Sequence, residues 1–168
     1  MESVIKHNME IDINQLKQFL VKAKKATYAN ESAKEITPER PGFKELEYKE
    51  GIWSYRDSYS GFYSAPGQEV VRLNEKPVWA MAYCGGMTVG NQQNLDFAKE
   101  TFGFLKEALS VIEPNLPARG PRLLCKSGWE YENKTNGSIE DFWGEEVIKK
   151  KAEPVFFQRY FGGLILGK

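Results

Sequence analysis

The sequence predicts an α+β domain made by internal duplication of a helix followed by four antiparallel strands. The two helices are expected to pack on one curved antiparallel sheet, or on two facing sheets, with the halves related by a pseudo-two-fold. Three observations predict it. First, Gly67 to Met87 (GQEVVRLNEKPVWAMAYCGGM) aligns without a gap on Gly144 to Leu164 (GEEVIKKKAEPVFFQRYFGGL), an offset of 144 − 67 = 77. Gly67, Glu69, Val70, Pro77, Val78, Tyr83, Gly85 and Gly86 recur as Gly144, Glu146, Val147, Pro154, Val155, Tyr160, Gly162 and Gly163. Those are eight identities in 21 positions, where unrelated chains of ordinary composition share roughly one. Second, the match continues upstream with a one-residue slip, as Trp53 and Tyr55 meet Trp129 and Tyr131 and Ser60-Gly61 meets Asn136-Gly137; farther back, Arg40-Pro41-Gly42 meets Arg119-Gly120-Pro121. Third, each half opens on an apolar, helix-periodic segment with a Phe-Leu pair, Phe19-Leu20 and Phe104-Leu105.

The elements follow in order. Ile13 to Thr27 reads as a helix, because Leu16, Phe19, Leu20 and Ala23 form one apolar stripe while Lys17, Lys22, Lys24 and Lys25 take the other face. Asp12 or Asn14 can cap it. Lys44 to Tyr48 and Ile52 to Tyr59 read as a hairpin across Glu50-Gly51, and Glu69 to Leu73 with Val78 to Tyr83 as a second across Asn74-Glu75-Lys76-Pro77. A second helix spans Leu95 to Val111, with Phe97, Thr101, Phe104, Leu105 and Leu109 along one side, Asn94 as cap, and Pro114 and Pro117 as stops. Arg122 to Lys126, Trp129 to Thr135, Glu146 to Lys149 and Val155 to Phe161 supply four more strands, with turn signals at Ser127-Gly128 and Asn136-Gly137. The expected organisation is a single domain over residues 1–168, with repeats at about 12–88 and 94–166 and an N-terminal extension at 1–11. A half of roughly 75 residues is marginal alone, so the halves must share an interior, and a ligand groove is expected between them.

Bulk chemistry narrows the function. Lys plus Arg and Asp plus Glu are each 23, so the chain lacks the basic excess of a general nucleic-acid binder. No apolar run reaches membrane-span length and no secretory signal stands at Met1, so the cytoplasm is the expected location. The only histidine, His7, lies outside the repeat, which leaves no Ser-His-Asp triad and no His-based metal site to build. Cys84 and Cys125 have no CxxC spacing and no histidine to activate them. No cofactor, metal or catalytic residue is expected.

Aromatic residues reach 13% of the chain, enough to form walls around a planar or sugar-like ligand as well as a core. Period two places Trp53, Tyr55, Asp57 and Tyr59 on one strand face, with Trp129, Tyr131, Asn133 and Thr135 on its counterpart. Trp79, Met81 and Tyr83 share a face, as do Phe156, Gln158 and Tyr160. An Asp or Asn inside an aromatic face must find hydrogen bonds or line a wet cavity. The candidate ligand-binding residues are therefore Trp53, Tyr55, Asp57, Tyr59, Trp79, Tyr83, Trp129, Tyr131, Asn133 and Tyr160. Arg40 and Arg119 are candidates for contact with an anion or a carboxylate, or for a salt bridge that locks the crossover between helix and strand. Tyr-x-Gly-Gly after a strand is read as structural, for a bend, a bulge or a close backbone approach. Glu69 and Glu146, as symmetry partners, offer an alternative enzymatic reading as a paired acid and base.

The segments Phe19 to Ala29, Arg40-Pro41-Gly42, Leu46-x-Tyr48, Asp57-Ser58-Tyr59-x-Gly61, Pro77-Val78-Trp79-x-Met81-x-Tyr83-x-Gly85 and Arg119-Gly120-Pro121 resemble a bacterial and archaeal domain family of unknown function. The resemblance runs from about Asp12 onward. Members sometimes follow a repressor-type helix-turn-helix, which implies a sensory or effector-binding role for the fused forms. Too few residues precede the first helix here for that module, and the family supplies no catalytic residues to carry over. The expectation is a small-molecule-binding domain with an aromatic-lined groove between repeats. The alternatives are a hydrolase-like enzyme using Glu69 and Glu146, and a protein-interaction domain that partners a transcriptional regulator through its sheet.

Overall fold

The computed structural model describes residues 11–30 and 32–167. His7 and nearly all of the expected N-terminal extension lie outside the described residues.

The described residues form two α-helices and eight strands, with a 3-10 turn at Val89–Asn91: α1 (Ile13–Ala26), β1 (Lys44–Glu50), β2 (Trp53–Tyr59), β3 (Gly67–Leu73), β4 (Lys76–Met87), α2 (Leu95–Ser110), β5 (Leu123–Lys126), β6 (Trp129–Ser138), β7 (Asp141–Lys150) and β8 (Glu153–Leu164). The strands form one antiparallel sheet in the order β1-β2-β3-β4-β8-β7-β6-β5, so the arrangement is a single sheet and not two facing ones. The central pair, β4 and β8, joins the halves, and its register sets Trp79 opposite Leu164, Tyr83 opposite Tyr160 and Met87 opposite Phe156. Each of these pairings maps onto another, or onto itself, when 77 is added to the first number and subtracted from the second. The register is therefore two-fold symmetric about the Tyr83–Tyr160 pair, as the offset in the sequence requires.

Both helices cover one face of the sheet. Asp12 caps α1 by accepting from the backbone N–H groups of Asn14 (2.9 Å) and Gln15 (3.1 Å), and Asn94 caps α2 by accepting from Phe97 N–H (3.1 Å). The apolar stripe of α1, Leu16, Phe19, Leu20 and Ala23, packs on Tyr55, Val71, Trp79 and Met81. That of α2, Phe104, Leu105, Ala108 and Leu109, packs on Tyr131, Ile148, Val155 and Phe156. The same ring contact occurs in both halves: Phe19 stacks on Trp53 with centroids 5.4 Å apart, and Phe104 on Trp129 at 5.6 Å.

The hairpins are tighter than the sequence suggests. Asn74 and Glu75, and likewise Lys151 and Ala152, are two-residue turns with both φ angles positive, so Pro77 and Pro154 lie inside β4 and β8. Each proline follows a register shift, between Val71 and Arg72 in one half and between Ile148 and Lys149 in the other. A bulge is where a strand accommodates a residue that has no N–H to donate. That is why β4 and β8 begin two residues before the expected Val78 and Val155.

The repeated glycines are structural. A Cβ on Gly85 would overlap the carbonyl oxygen of Phe157, and one on Gly162 that of Ala80, so the central strands approach too closely for any side chain there. Gly67 and Gly144 make room for the rings of Tyr83 and Tyr160. Gly144→Ala is therefore expected to lose about 2–3 kcal/mol through overpacking against Tyr160 and the Lys134 carbonyl, read as a lower urea midpoint with an unchanged slope. A wild-type midpoint would contradict it.

Candidate functional site

Between the helical layer and the sheet lies a cavity of about 530 Å³. Its floor is the helix-facing side of β2, β3, β4 and β8, which supply Tyr55, Asp57, Tyr59, Glu69, Tyr83 and Gln158. Its walls are Lys24, Thr27 and Tyr28 from the end of α1 and just beyond, and Phe102, Leu105 and Lys106 from α2. Lys44, Glu35 and Lys99 stand at its exposed rim.

Alternation along β2 explains the floor. Trp53, Tyr55, Asp57 and Tyr59 all face the helices, but α1 covers only the first two closely, and the sheet beyond the end of α1 is left for the cavity. Asp57 is 3% exposed and accepts a hydrogen bond from the Tyr83 hydroxyl (2.7 Å). Among the described residues Tyr83 is its only hydrogen-bond donor, and the second carboxylate oxygen faces the cavity. Burial, reinforced by the neighbouring Glu69 carboxylate, pushes Asp57 up to about 7, while Tyr83, Lys24 and Arg119 pull the other way. Burial likewise raises the Tyr55, Tyr83 and Tyr28 hydroxyls, which therefore stay protonated and available as donors.

Two further carboxylates are tied down. Glu69, 2% exposed, is bonded by Lys24, whose own ammonium is lowered by burial against the pull of Glu69. Glu146, fully buried, accepts from Arg119 Nε (3.2 Å) and Nη2 (2.5 Å), from Tyr131 Oη (2.6 Å) and from Gln158 Nε2 (2.9 Å). Arg119 Nη1 stands 3.8 Å from Glu69, so one guanidinium spans both acids. Because Glu146 demands the amide N–H of Gln158, the amide oxygen of Gln158 is left facing the cavity. Glu146 is saturated with donors and does not line the cavity, whereas Glu69 does.

Of the residues expected at a ligand site, Tyr55, Asp57, Tyr59, Tyr83 and Arg119 line the cavity. Trp53 and Trp129 instead stack on α1 and α2, and Trp79 is sealed in the core with its indole N–H on the Ile139 carbonyl (2.9 Å). Tyr131, Asn133 and Tyr160 form a closed network: Tyr160 Oη donates to Asn133 Oδ1 (2.6 Å) and Asn133 Nδ2 to the Gly120 carbonyl (2.9 Å), while Gly120 N–H donates to Tyr131 Oη (3.1 Å). Arg40 lies at the surface, bonded to Gln68 (3.0 Å) and stacked on Phe43. Lys24, Tyr28, Phe102, Lys106 and Gln158 line the cavity without having been expected there. Cys84 and Cys125 are free and exposed. Among the described residues no His, Cys, Asp and Glu cluster forms a metal-binding group, and no helix is long and apolar enough to cross a membrane.

Fold and site together define an α+β domain that holds a partly apolar cavity above a buried, charged floor. The chain belongs to the family described as Domain of unknown function (DUF5680), whose match covers residues 57–165, from Asp57 on the cavity floor to the end of the sheet. No curated protein and no solved structure matches it.

Proposed function

We propose that this protein is a small-molecule-binding module, sensory or effector-like and cytoplasmic, whose ligand occupies the cavity between its two halves. The observation that carries this reading is the pairing of a 530 Å³ space, within the range of organic-ligand sites, with one oxygen each of the largely buried residues Asp57 and Gln158, which line it and accept no hydrogen bond from any described residue. A core of this size rarely leaves such groups unpaired unless water or a ligand meets them. The two-fold register supports descent of the halves from one copied helix-and-four-strand unit. In this reading the first copy kept an open floor, and the second closed its own with Asn133, Tyr160 and the Arg119 segment. Zero net charge argues against a phosphate backbone as partner. The outer sheet face bears Trp143 and Phe161, 60% and 65% exposed, but Glu145 and Arg159 interrupt it, so a docking role has less support than the cavity.

Gly103 gives the test. It lines the cavity on α2, and a Cβ there meets no atom within 4 Å. Gly103→Trp is expected to fill the space without loss of stability, since a helix-interior glycine is itself unfavourable by about 1 kcal/mol. Compounds that raise the wild-type melting temperature in a metabolite screen should fail to raise that of the variant. Undiminished shifts in the variant would remove the proposal.

A further inference from the structure

We infer that the cavity takes a cationic nitrogen, a protonated amine or amidine carried on an aromatic or apolar body, with Asp57 as its counter-ion. The inference rests on the ligand-binding reading above and adds the charge of the ligand. The buried cluster on the helix-facing side holds two cations, Lys24 and Arg119, against three carboxylates, Asp57, Glu69 and Glu146. Lys24 is committed to Glu69 and Arg119 to Glu146, so both cations are spent. Among the described residues Asp57 is left as the single acid of this cluster without a basic partner in contact, and its free oxygen faces the cavity.

The surroundings suit a cation in this place. The Gln158 amide oxygen is a second unmet acceptor on the same floor, and the cavity is lined by Tyr59, whose ring attracts positive charge, while the rings of Tyr28 and Tyr83 already hold Lys106 and Arg119 at 5.5 and 5.6 Å. Phe62, Phe102 and Phe156 supply apolar wall for the rest of the ligand. The rim lysines do not form a barrier: Lys44 pairs with Glu35 (3.3 Å), Lys99 stands 3.9 Å from Asp96, and Lys106 lies over the Tyr28 ring. The charged and titratable groups around Asp57 come from every neighbouring element. They are Lys24 from α1 and Tyr28 just after it, Tyr55 and Tyr59 from β2, Glu69 from β3, Tyr83 from β4 and Arg119 from the segment after α2. A carboxylate held near pH 7 in this setting must be ionised to bind a cation, so binding below that pH releases a proton.

Three probes with one body separate the possibilities by calorimetry on the full chain: 4-phenylbutylamine, 4-phenylbutan-1-ol and 4-phenylbutanoate. At pH 7.5 the amine should bind at least about tenfold more tightly than the alcohol, with the acid weakest. Its affinity should fall about tenfold on going to pH 6, since Asp57 is then mostly protonated. Asp57→Asn should bring the amine down to the affinity of the alcohol and abolish the pH dependence. The assignment is overturned if the alcohol or acid equals the amine, if affinity rises as pH falls, if Asp57→Asn changes nothing, or if no probe binds. Failure of the underlying cavity reading looks different: the amine would keep its affinity in Gly103→Trp.

Discussion

Arg119→Met is expected to destabilise the fold by about 3–5 kcal/mol, the loss that follows when one partner of a buried ion pair is removed. Arg119 is 6% exposed and Glu146 fully buried. The guanidinium makes two bonds to that carboxylate, and with it gone only the neutral donors Tyr131 and Gln158 remain to face a buried negative charge. Methionine replaces much of the aliphatic stem, so the lost volume is small and the electrostatic term dominates. The comparison within the protein is Lys22→Met: the Lys22–Glu50 pair is at a similar distance (2.6 Å), but its side chains are 55% and 47% exposed, so solvent screens it and its loss should be far smaller. Replacing both partners, Arg119→Met with Glu146→Gln, should recover part of the loss, because no buried charge is then left alone. Urea unfolding of the three variants at pH 7 measures all of this. A single-variant loss below about 1 kcal/mol would show that the buried pair is not what holds the Arg119 segment against β7.

The sheet was legible because the two similar segments carry its register. An offset of 77 that survives in Tyr83 and Tyr160 is the same number that pairs them across the central strands. Local turn chemistry was less legible. Pro77 and Pro154 read as turn residues, whereas tertiary pairing put them in strands next to bulges. Period two found Tyr55, Asp57, Tyr59 and Tyr83 by identifying the inward face. It could not separate them from Trp53, Trp79 and Trp129 on that face, since what covers each strand position depends on where the helices lie across the sheet. Lys24 shows the limit from the helix side. Its spacing places it among solvent-facing lysines, yet it sits one residue after the buried Ala23 near the helix end, where Glu69 reaches it. Arg40 and Arg119 shared a sequence context but not a partner, because Glu69 already had a cation from α1. Gln158 was visible on the right face, but its unmet oxygen becomes evident only once Glu146 is seen to claim the amide N–H.

Asp57→Asn is expected to stabilise the protein at pH 8 by on the order of 2–4 kcal/mol, with the gain vanishing as pH falls toward 4. The folded-state value of Asp57, about 7, stands above its ordinary 3.8, so the folded protein holds this proton more tightly than the unfolded chain. The associated stability is fully present below about pH 4 and is lost as pH rises through 7, where the buried carboxyl must ionise. Asparagine keeps the acceptor that Tyr83 requires and never ionises. The second half already contains the equivalent arrangement: Asn133 Oδ1 accepts from Tyr160 (2.6 Å) just as Asp57 Oδ1 accepts from Tyr83 (2.7 Å). An aspartate that destabilises the fold at neutral pH, opposite an asparagine that does not, is the pattern the proposed binding role would leave. Thermal or urea unfolding of both proteins from pH 4 to pH 8 measures the difference. Parallel stability curves across that range would mean that Asp57 titrates alike in the folded and unfolded states, and its place on the cavity floor would then carry no electrostatic cost for a ligand to relieve.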